Sequence, residues 1–293
     1  MSKKQTYLYI LIIGGIIALV ASVYILYEVF RPKGVCKLDN KTGVCYINST
    51  IQSLLSCKYF ATTITKKDKS QNPVVYNLVK LIKKIKSRSH IDPLPHYKKI
   101  FRDHKNVDWN KRGNDPAVIY QYLARNITTE FPDSNLFLSY DDCKKINPYI
   151  NVPSYYCRCP ILENNTRIGA LGLLQETFNN SSMDKSVVFS QIIIIKFQKK
   201  LKNFDFSTYE YICDPEVTVN SKKYFLRSII VRDKVPVKVK RTEILENHSY
   251  VYGRRCDKWY CFNDINVNKI KQKNLDEKVF KNELVQFAVY EVE

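Results

Sequence analysis

A chain of 293 residues that is 45% hydrophobic and 13% aromatic can bury the core of one large domain or two small ones, which excludes a disordered chain and a disulfide-dependent miniprotein. The net charge of +19 raises nucleic acid or an anionic membrane as a partner, but the lysines fall in dispersed pairs such as Lys83 and Lys84 or Lys222 and Lys223, with no nucleic-acid module beside them. Nucleic acid is therefore not expected, and most of this charge reads as solvated surface. Nine cysteines, an odd and scattered set, fit a reduced compartment better than a disulfide framework.

Residues 7–27 carry no charge, and at 1.5 Å per residue a helix of that length crosses a ~30 Å hydrocarbon core. One transmembrane helix is expected within residues 1–30, ahead of a folded domain over 31–293. Tyr7, Tyr9, Tyr24, Tyr27 and Phe30 cluster at its ends, where amphipathic rings prefer to sit. A cleaved signal peptide would have an apolar core of only ~7 to 15 residues. Lys3 and Lys4 precede the span whereas Arg31, Lys33, Lys37 and Lys41 follow it, so the positive-inside bias places the domain in the cytosol. The endoplasmic reticulum and the outer mitochondrial membrane suit such an anchor equally.

A turn over residues 39–43 then delivers Cys45 to the start of a helical pattern, Ile47, Ile51, Leu54 and Leu55. Unpaired N–H groups and the dipole at a helix N-terminus favour a thiolate, the form that attacks carbonyls. A buried cysteine that merely packs is the alternative. Asn72 and Pro73 open a second helix, with Val75, Leu78, Val79, Ile82 and Ile85 on one face and lysines on the other; a solvated basic face is the ordinary outcome, membrane contact the other. Residues 87–114 read as connecting loop, and His90, His96 and His104 lack metal-ligand spacing. Asp115 and Pro116 open a third helix through Ile119, Tyr120, Leu123 and Ile127.

Beyond residue 136 β-branched and aromatic runs dominate, at 136–140, 187–197, 224–231, 249–253, 259–262 and 284–292. These predict an antiparallel sheet, with Ile192 to Ile195 buried on both faces, and helices before strands give an α+β order. Asn-x-Ser/Thr sequences at Asn48, Asn126, Asn164, Asn179, Asn180 and Asn247 are read as unused chance matches. Asn263 and Asp264 lie fifteen and sixteen residues after His248, so a base for the thiol and a group to orient its ring are both present.

Cys45, Tyr46, Asn48, Ser49, Gln52 and Leu54, with Leu38 and Asn40 before them, resemble the cysteine box of the ubiquitin-specific proteases, papain-like deubiquitinases. Gly43 falls one place late, and Val44 stands where threonine is usual. His248, Tyr252, Trp259, Phe262, Asn263, Asp264 and Val267 are similar to that family's histidine box, with Asn247 in place of a glycine and Ser249 in place of a tyrosine. Looser matches at 191–197, 224–231 and 289–290 fall in the family's order, so the resemblance covers most of residues 38–292.

The resemblance implies a papain-like α+β domain with a helical thumb, an antiparallel β palm and reduced fingers, preceded here by the membrane helix. It implies a monomeric thiol-dependent deubiquitinase that cleaves after the C-terminal glycine of ubiquitin or a relative on membrane-proximal substrates. Cys45 would attack, His248 would carry the proton, Asn263 would hold the ring with Asp264 assisting or replacing it, and Asn40 would face the oxyanion. Asp115 matches an acid that holds the substrate's basic tail, though a plain helix cap explains it as well; the family's accompanying glutamate is Val118. Zinc is not expected and no cofactor is implied, since Cys143, Cys157 and Cys159 fall short of four ligands. Val118, Asn247 and the displaced glycine leave open a catalytically impaired ubiquitin-binding scaffold on the same fold.

Overall fold

The structure, a computed structural model, describes residues 3–30, 34–66, 70–107, 109, 113–137, 157–159, 167–169, 190–197, 210–219, 222–239, 242–275 and 284–293. Lys3–Phe30 form one helix, α1. Ile16, Ile17, Leu19 and Val20 on its successive sides are all exposed, so the helix has no single apolar face to pack. The side chains of α1 are described without a break only over residues 12–26, and among the described residues no helix is long and apolar enough to cross a membrane. The expected transmembrane span finds no support there.

Among the described residues five further helices lie between α1 and the main sheet. In α2 (Cys45–Leu54) every residue is buried. Then come α3 (Lys58–Lys66), α4 (Pro73–Ser87), α5 (Leu94–Ile100) and α6 (Pro116–Glu130). The caps read from sequence form: Asn72 Oδ1 accepts from Val74 N at 2.9 Å, and Asp115 Oδ1 accepts from Ala117 N at 2.9 Å. Residues 87–114 are not only loop, because they hold a short strand, β2 (His90–Ile91), parallel to β1 (Lys37–Leu38), and α5, which buries Tyr97 and Ile100. Pro93 and Pro95 read as breakers, but they sit at the start of α5, where a missing N–H costs nothing. Helix α3 also escaped the sequence reading; only Phe60, Ala61 and Ile64 of its nine residues are buried.

Among the described residues eight strands form the main sheet: β3 (Cys157–Cys159), β5 (Ile192–Phe197), β7 (Glu216–Val219), β8 (Lys222–Val239), β9 (Thr242–Arg255), β10 (Lys258–Asn263), β11 (Asn266–Ile270) and β12 (Leu284–Val292), in the order β11-β10-β9-β8-β12-β5-β3 with β7 also on β8. A separate pair, β4 (Arg167–Gly169) and β6 (Glu210–Ile212), is parallel. The strands of the main sheet pair antiparallel, as expected, except at β3–β5, where the added strand β3 runs parallel. Ile192 to Ile195 are buried as predicted, beside the fully buried Phe287 to Tyr290 of β12. Strands β8 and β9 run well past the apolar residues that announced them, to a far end at Val239 and Thr242. Phe137 only bridges Ile192, and residues 138–140 and 187–189 of the predicted strands lie outside the described residues.

Two features of the sheet position the site. Helix α2 packs across β8, β9 and β10, which brings its N-terminus to the strand that carries His248. The β9–β10 hairpin turns through Cys256 and Asp257, at φ 48° and 59°, the left-handed pair whose twist suits a tight hairpin. Pairing of Phe262 with Val251 then returns Asn263, at the end of β10, to the part of β9 that carries His248.

Candidate active site

Cys45 is the first residue of α2 and is 4% exposed. Val44 before it offers no side-chain cap, unlike Asn72 and Asp115, so the donors that start this helix stay beside the sulfur. Gly43 turns the chain into the helix at φ 74°, a left-handed conformation suited to glycine, and its carbonyl accepts from Gly113 N at 3.1 Å. The displaced glycine of the sequence therefore still makes the turn.

His248 sits in the body of β9, not just ahead of a strand, and donates from Nε2 to Asn263 Oδ1 at 2.7 Å. With Nε2 so engaged, Nδ1 is the nitrogen left to meet Cys45, whose side chain bonds the imidazole. Burial works against charge on this ring. The bonds to Cys45 and Asn263, with the negative charges of a Cys45 thiolate and Asp264, outweigh it and hold the pKa up to about 9. The Cys45 and His248 side chains, 203 positions apart in the chain (248 − 45), thus lie within hydrogen-bond reach of one another.

Asp264 approaches the same Nε2 at 3.8 Å but is held elsewhere. Its Oδ1 accepts from Asn48 Nδ2 at 2.7 Å and its Oδ2 from Asn40 Nδ2 at 2.8 Å. Burial raises its pKa, opposed by the Asn48 bond, the His248 charge and the Asn40 bond. Tyr97 braces Asn48 in turn, donating its hydroxyl to Oδ1 at 2.8 Å. Asn40 thus lies at the site with one amide hydrogen given to Asp264, while its Oδ1 is buried without a hydrogen-bond partner among the described residues.

Asp115 is not among the groups that touch Cys45 or His248. It caps α6 and its Oδ2 accepts from Lys196 Nζ at 2.6 Å, so the helix-cap explanation accounts for its position. Sequence reasoning missed Tyr97, hidden in the supposed loop, and gave Asn48 no task beyond its place in the motif. The spacing of Asn48 one turn after Cys45 was the available signal. For zinc, Cys143 lies outside the described residues, and so do the side chains of Cys157 and Cys159.

An imidazole that exchanges a proton with sulfur while a neutral amide fixes its ring is the working apparatus of a thiol hydrolase. The sequence profile described as ubiquitin carboxyl-terminal hydrolase matches residues 36–290, so the chain belongs to that family and is a cysteine-type deubiquitinating enzyme. Among curated proteins none is similar enough in sequence to count as a match. Solved structures share the fold. An essential yeast splicing factor is 16% identical with a TM-score of 0.58 over 89% of this chain and 70% of that one. The Ubp8-Sgf11-Sgf73-Sus1 SAGA DUB module gives 12% and 0.57 over 89% and 68%. The Ubp8/Sgf11/Sus1/Sgf73 module bound to ubiquitin aldehyde gives 13% and 0.58 over 90% and 70%. At such identities the likeness concerns fold alone.

Proposed function

We propose that this enzyme hydrolyses the isopeptide or peptide bond after the C-terminal glycine of ubiquitin, or of a ubiquitin-like protein, with Cys45 as nucleophile. The observation that carries the reading is His248 held between Cys45 and the 2.7 Å bond to Asn263. The Cys45 thiolate adds to the carbonyl carbon, and the carbonyl oxygen takes up the electron pair. The free amide hydrogen of Asn40 and the Cys45 backbone N–H steady that oxygen. The C–N bond then breaks as the His248 imidazolium gives its proton to the leaving amine. Water, deprotonated by the same ring, cleaves the thioester and restores thiolate and imidazolium. Asn263 keeps the ring aimed, and Asp264 adds negative charge from the side.

The same proposal extends to place. An N-terminal helix that anchors the chain in a membrane would hold a monomeric enzyme close to membrane-bound substrates, with residues 31 onward in the cytosol. Supporting this are the uncharged run over residues 7–27, the exposed apolar side chains around α1 and the excess of lysine and arginine after it. The endoplasmic reticulum and the outer mitochondrial membrane both meet these requirements.

The test of the chemistry is a ubiquitin probe with an electrophilic C-terminus. Covalent capture by the full chain that disappears in Cys45→Ala supports the mechanism, whereas tight binding without capture would leave a ubiquitin-binding scaffold. Resistance of the full chain to alkaline extraction from neutral vesicles tests the anchor, and release overturns it.

A further inference from the structure

Charge on this chain is unevenly placed. Residues 58–105 hold thirteen lysines and arginines against three aspartates, a net +10 out of +19 in about one sixth of the length. Helices α4 and α5 contain no acidic residue at all. Their lysines also converge in space: His96 on α5 has its pKa lowered by burial and then by Lys84 and Lys80 of α4 and Lys99 of α5. Lys80, Lys83, Lys84 and Lys99 are all exposed.

The face is rigid as well as basic. Val75, Leu78, Val79, Ile82 and Ile85 lock the opposite side of α4 into the core, each no more than 3% exposed. Tyr76 stands exposed on the charged side with Lys80 Nζ 4.2 Å from its ring centroid, a ring of the amphipathic kind that settles among headgroups. Like charges gathered on one rigid surface repel one another, and a surface of opposite charge relieves that repulsion.

We propose that the face shared by α4 and α5, centred on Tyr76, Lys80, Lys83, Lys84 and Lys99, docks on the anionic phospholipid headgroups of the membrane that α1 enters. This rests on the anchoring reading. Tethering by α1 keeps the face near a bilayer, and contact then fixes which side of the catalytic domain turns outward. Each lysine at an anionic leaflet contributes roughly fivefold in binding, so losing three costs on the order of a hundredfold.

The full chain is reconstituted in nanodiscs of phosphatidylcholine alone or with phosphatidylserine, and amine labelling is read by mass spectrometry. The expected result is severalfold protection of Lys80, Lys83, Lys84 and Lys99 in the anionic discs, reversed by high salt, with Lys258 of β10 and Lys269 of β11 unchanged. K80E/K83E/K84E, checked for folding by its unfolding midpoint, should lose the remaining protection of Lys99, and the milder K80Q/K83Q/K84Q should lose part of it. Equal labelling in both discs overturns the proposal, as does stronger protection of these lysines by duplex DNA or RNA at the same salt. Extraction from neutral vesicles marks failure of the anchor alone. In that case flotation of the full chain with anionic but not neutral vesicles sustains the docking face, and no flotation with either refutes it.

Discussion

Replacing Asn263 with alanine removes the bond that fixes the catalytic ring, and the structure sets the size of the effect. A hydrogen bond to a charged group is worth ~1.5 to 3 kcal/mol, and one pKa unit corresponds to ~1.4 kcal/mol. The imidazolium of His248, held up to about 9, should therefore fall by about one to two units. By distance alone Asp264, 3.8 Å from Nε2, would attract the imidazolium by up to ~4 kcal/mol at an effective dielectric constant of 20. Its charge is nonetheless the least of the influences that raise His248, and both of its oxygens accept from amides, Asn40 and Asn48, instead of from the ring. The proposal under test is therefore that Asn263 orients the ring and Asp264 assists it.

The assay is the pH dependence of kcat/KM with a fluorogenic ubiquitin substrate. Wild type should lose activity as pH rises through about 9, where the ring can no longer protonate the leaving amine. In Asn263→Ala the alkaline limb should move one to two units toward neutrality, with the plateau roughly ten- to a hundredfold lower. Stability follows the same sign. A histidine raised from 6.5 to about 9 stabilises the fold fully below 6.5, and that contribution is lost as pH climbs through 9. The variant should show less of this alkaline loss. A larger shift of the limb in Asp264→Asn than in Asn263→Ala would refute the assignment.

Other substitutions test the surroundings. Asn40→Ala should lower kcat by ~10²-fold or more with little change in KM, as removal of an oxyanion donor does, and steady-state kinetics reads the split. Gly253→Ala places a Cβ against Ser56 Oγ at closer than van der Waals contact, so it should cost about 1 to 3 kcal/mol in thermal unfolding, and far less in a Ser56→Ala background. Glu291, 1% exposed, accepts from Lys58 N at 3.0 Å and Tyr59 N at 2.6 Å and lies 3.1 Å from Arg227 Nε. Glu291→Ala leaves that arginine uncompensated and should cost about 3 to 5 kcal/mol in denaturant unfolding.

Cys45, His248 and Asn263 were legible because each sits in a short pattern of unusual residues, and because caps and apolar spacing announced the helices around them. Helices α4 and α6 and the strand Ile192–Phe197 were legible for the same local reasons. What stayed hidden depends on partners far along the chain. Tyr97 matters only because Asn48 lies 2.8 Å from its hydroxyl, and nothing near residue 97 says so. The length of β8 and β9 is set by their pairing with each other, which continues into polar sequence that reads as loop.

The same distinction explains why the sequence around Cys45 is so polar for a helix that is wholly buried. Burying an unpaired polar group is costly, so each one in α2 needs a partner; Ser49 and Thr50 bond the Tyr46 carbonyl of their own helix, while Asn48, Gln52 and Ser53 reach other parts of the fold. Asn48 reaches Asp264; Gln52 Nε2 donates to the Cys36 carbonyl at 2.9 Å; Ser53 takes the Tyr120 hydroxyl at 2.6 Å and meets Ser228 at 2.5 Å. Arg255, itself buried, donates to Gln52 Oε1 at 2.8 Å and to Ser56 at 2.6 Å. Apolar contacts alone would let the helix slide or rotate by a fraction of an ångström. These directional bonds, spread along successive turns and anchored in α6, β8 and β9, fix both its height and its rotation. The thiol at its first residue can then meet a ring supplied from the far side of the fold.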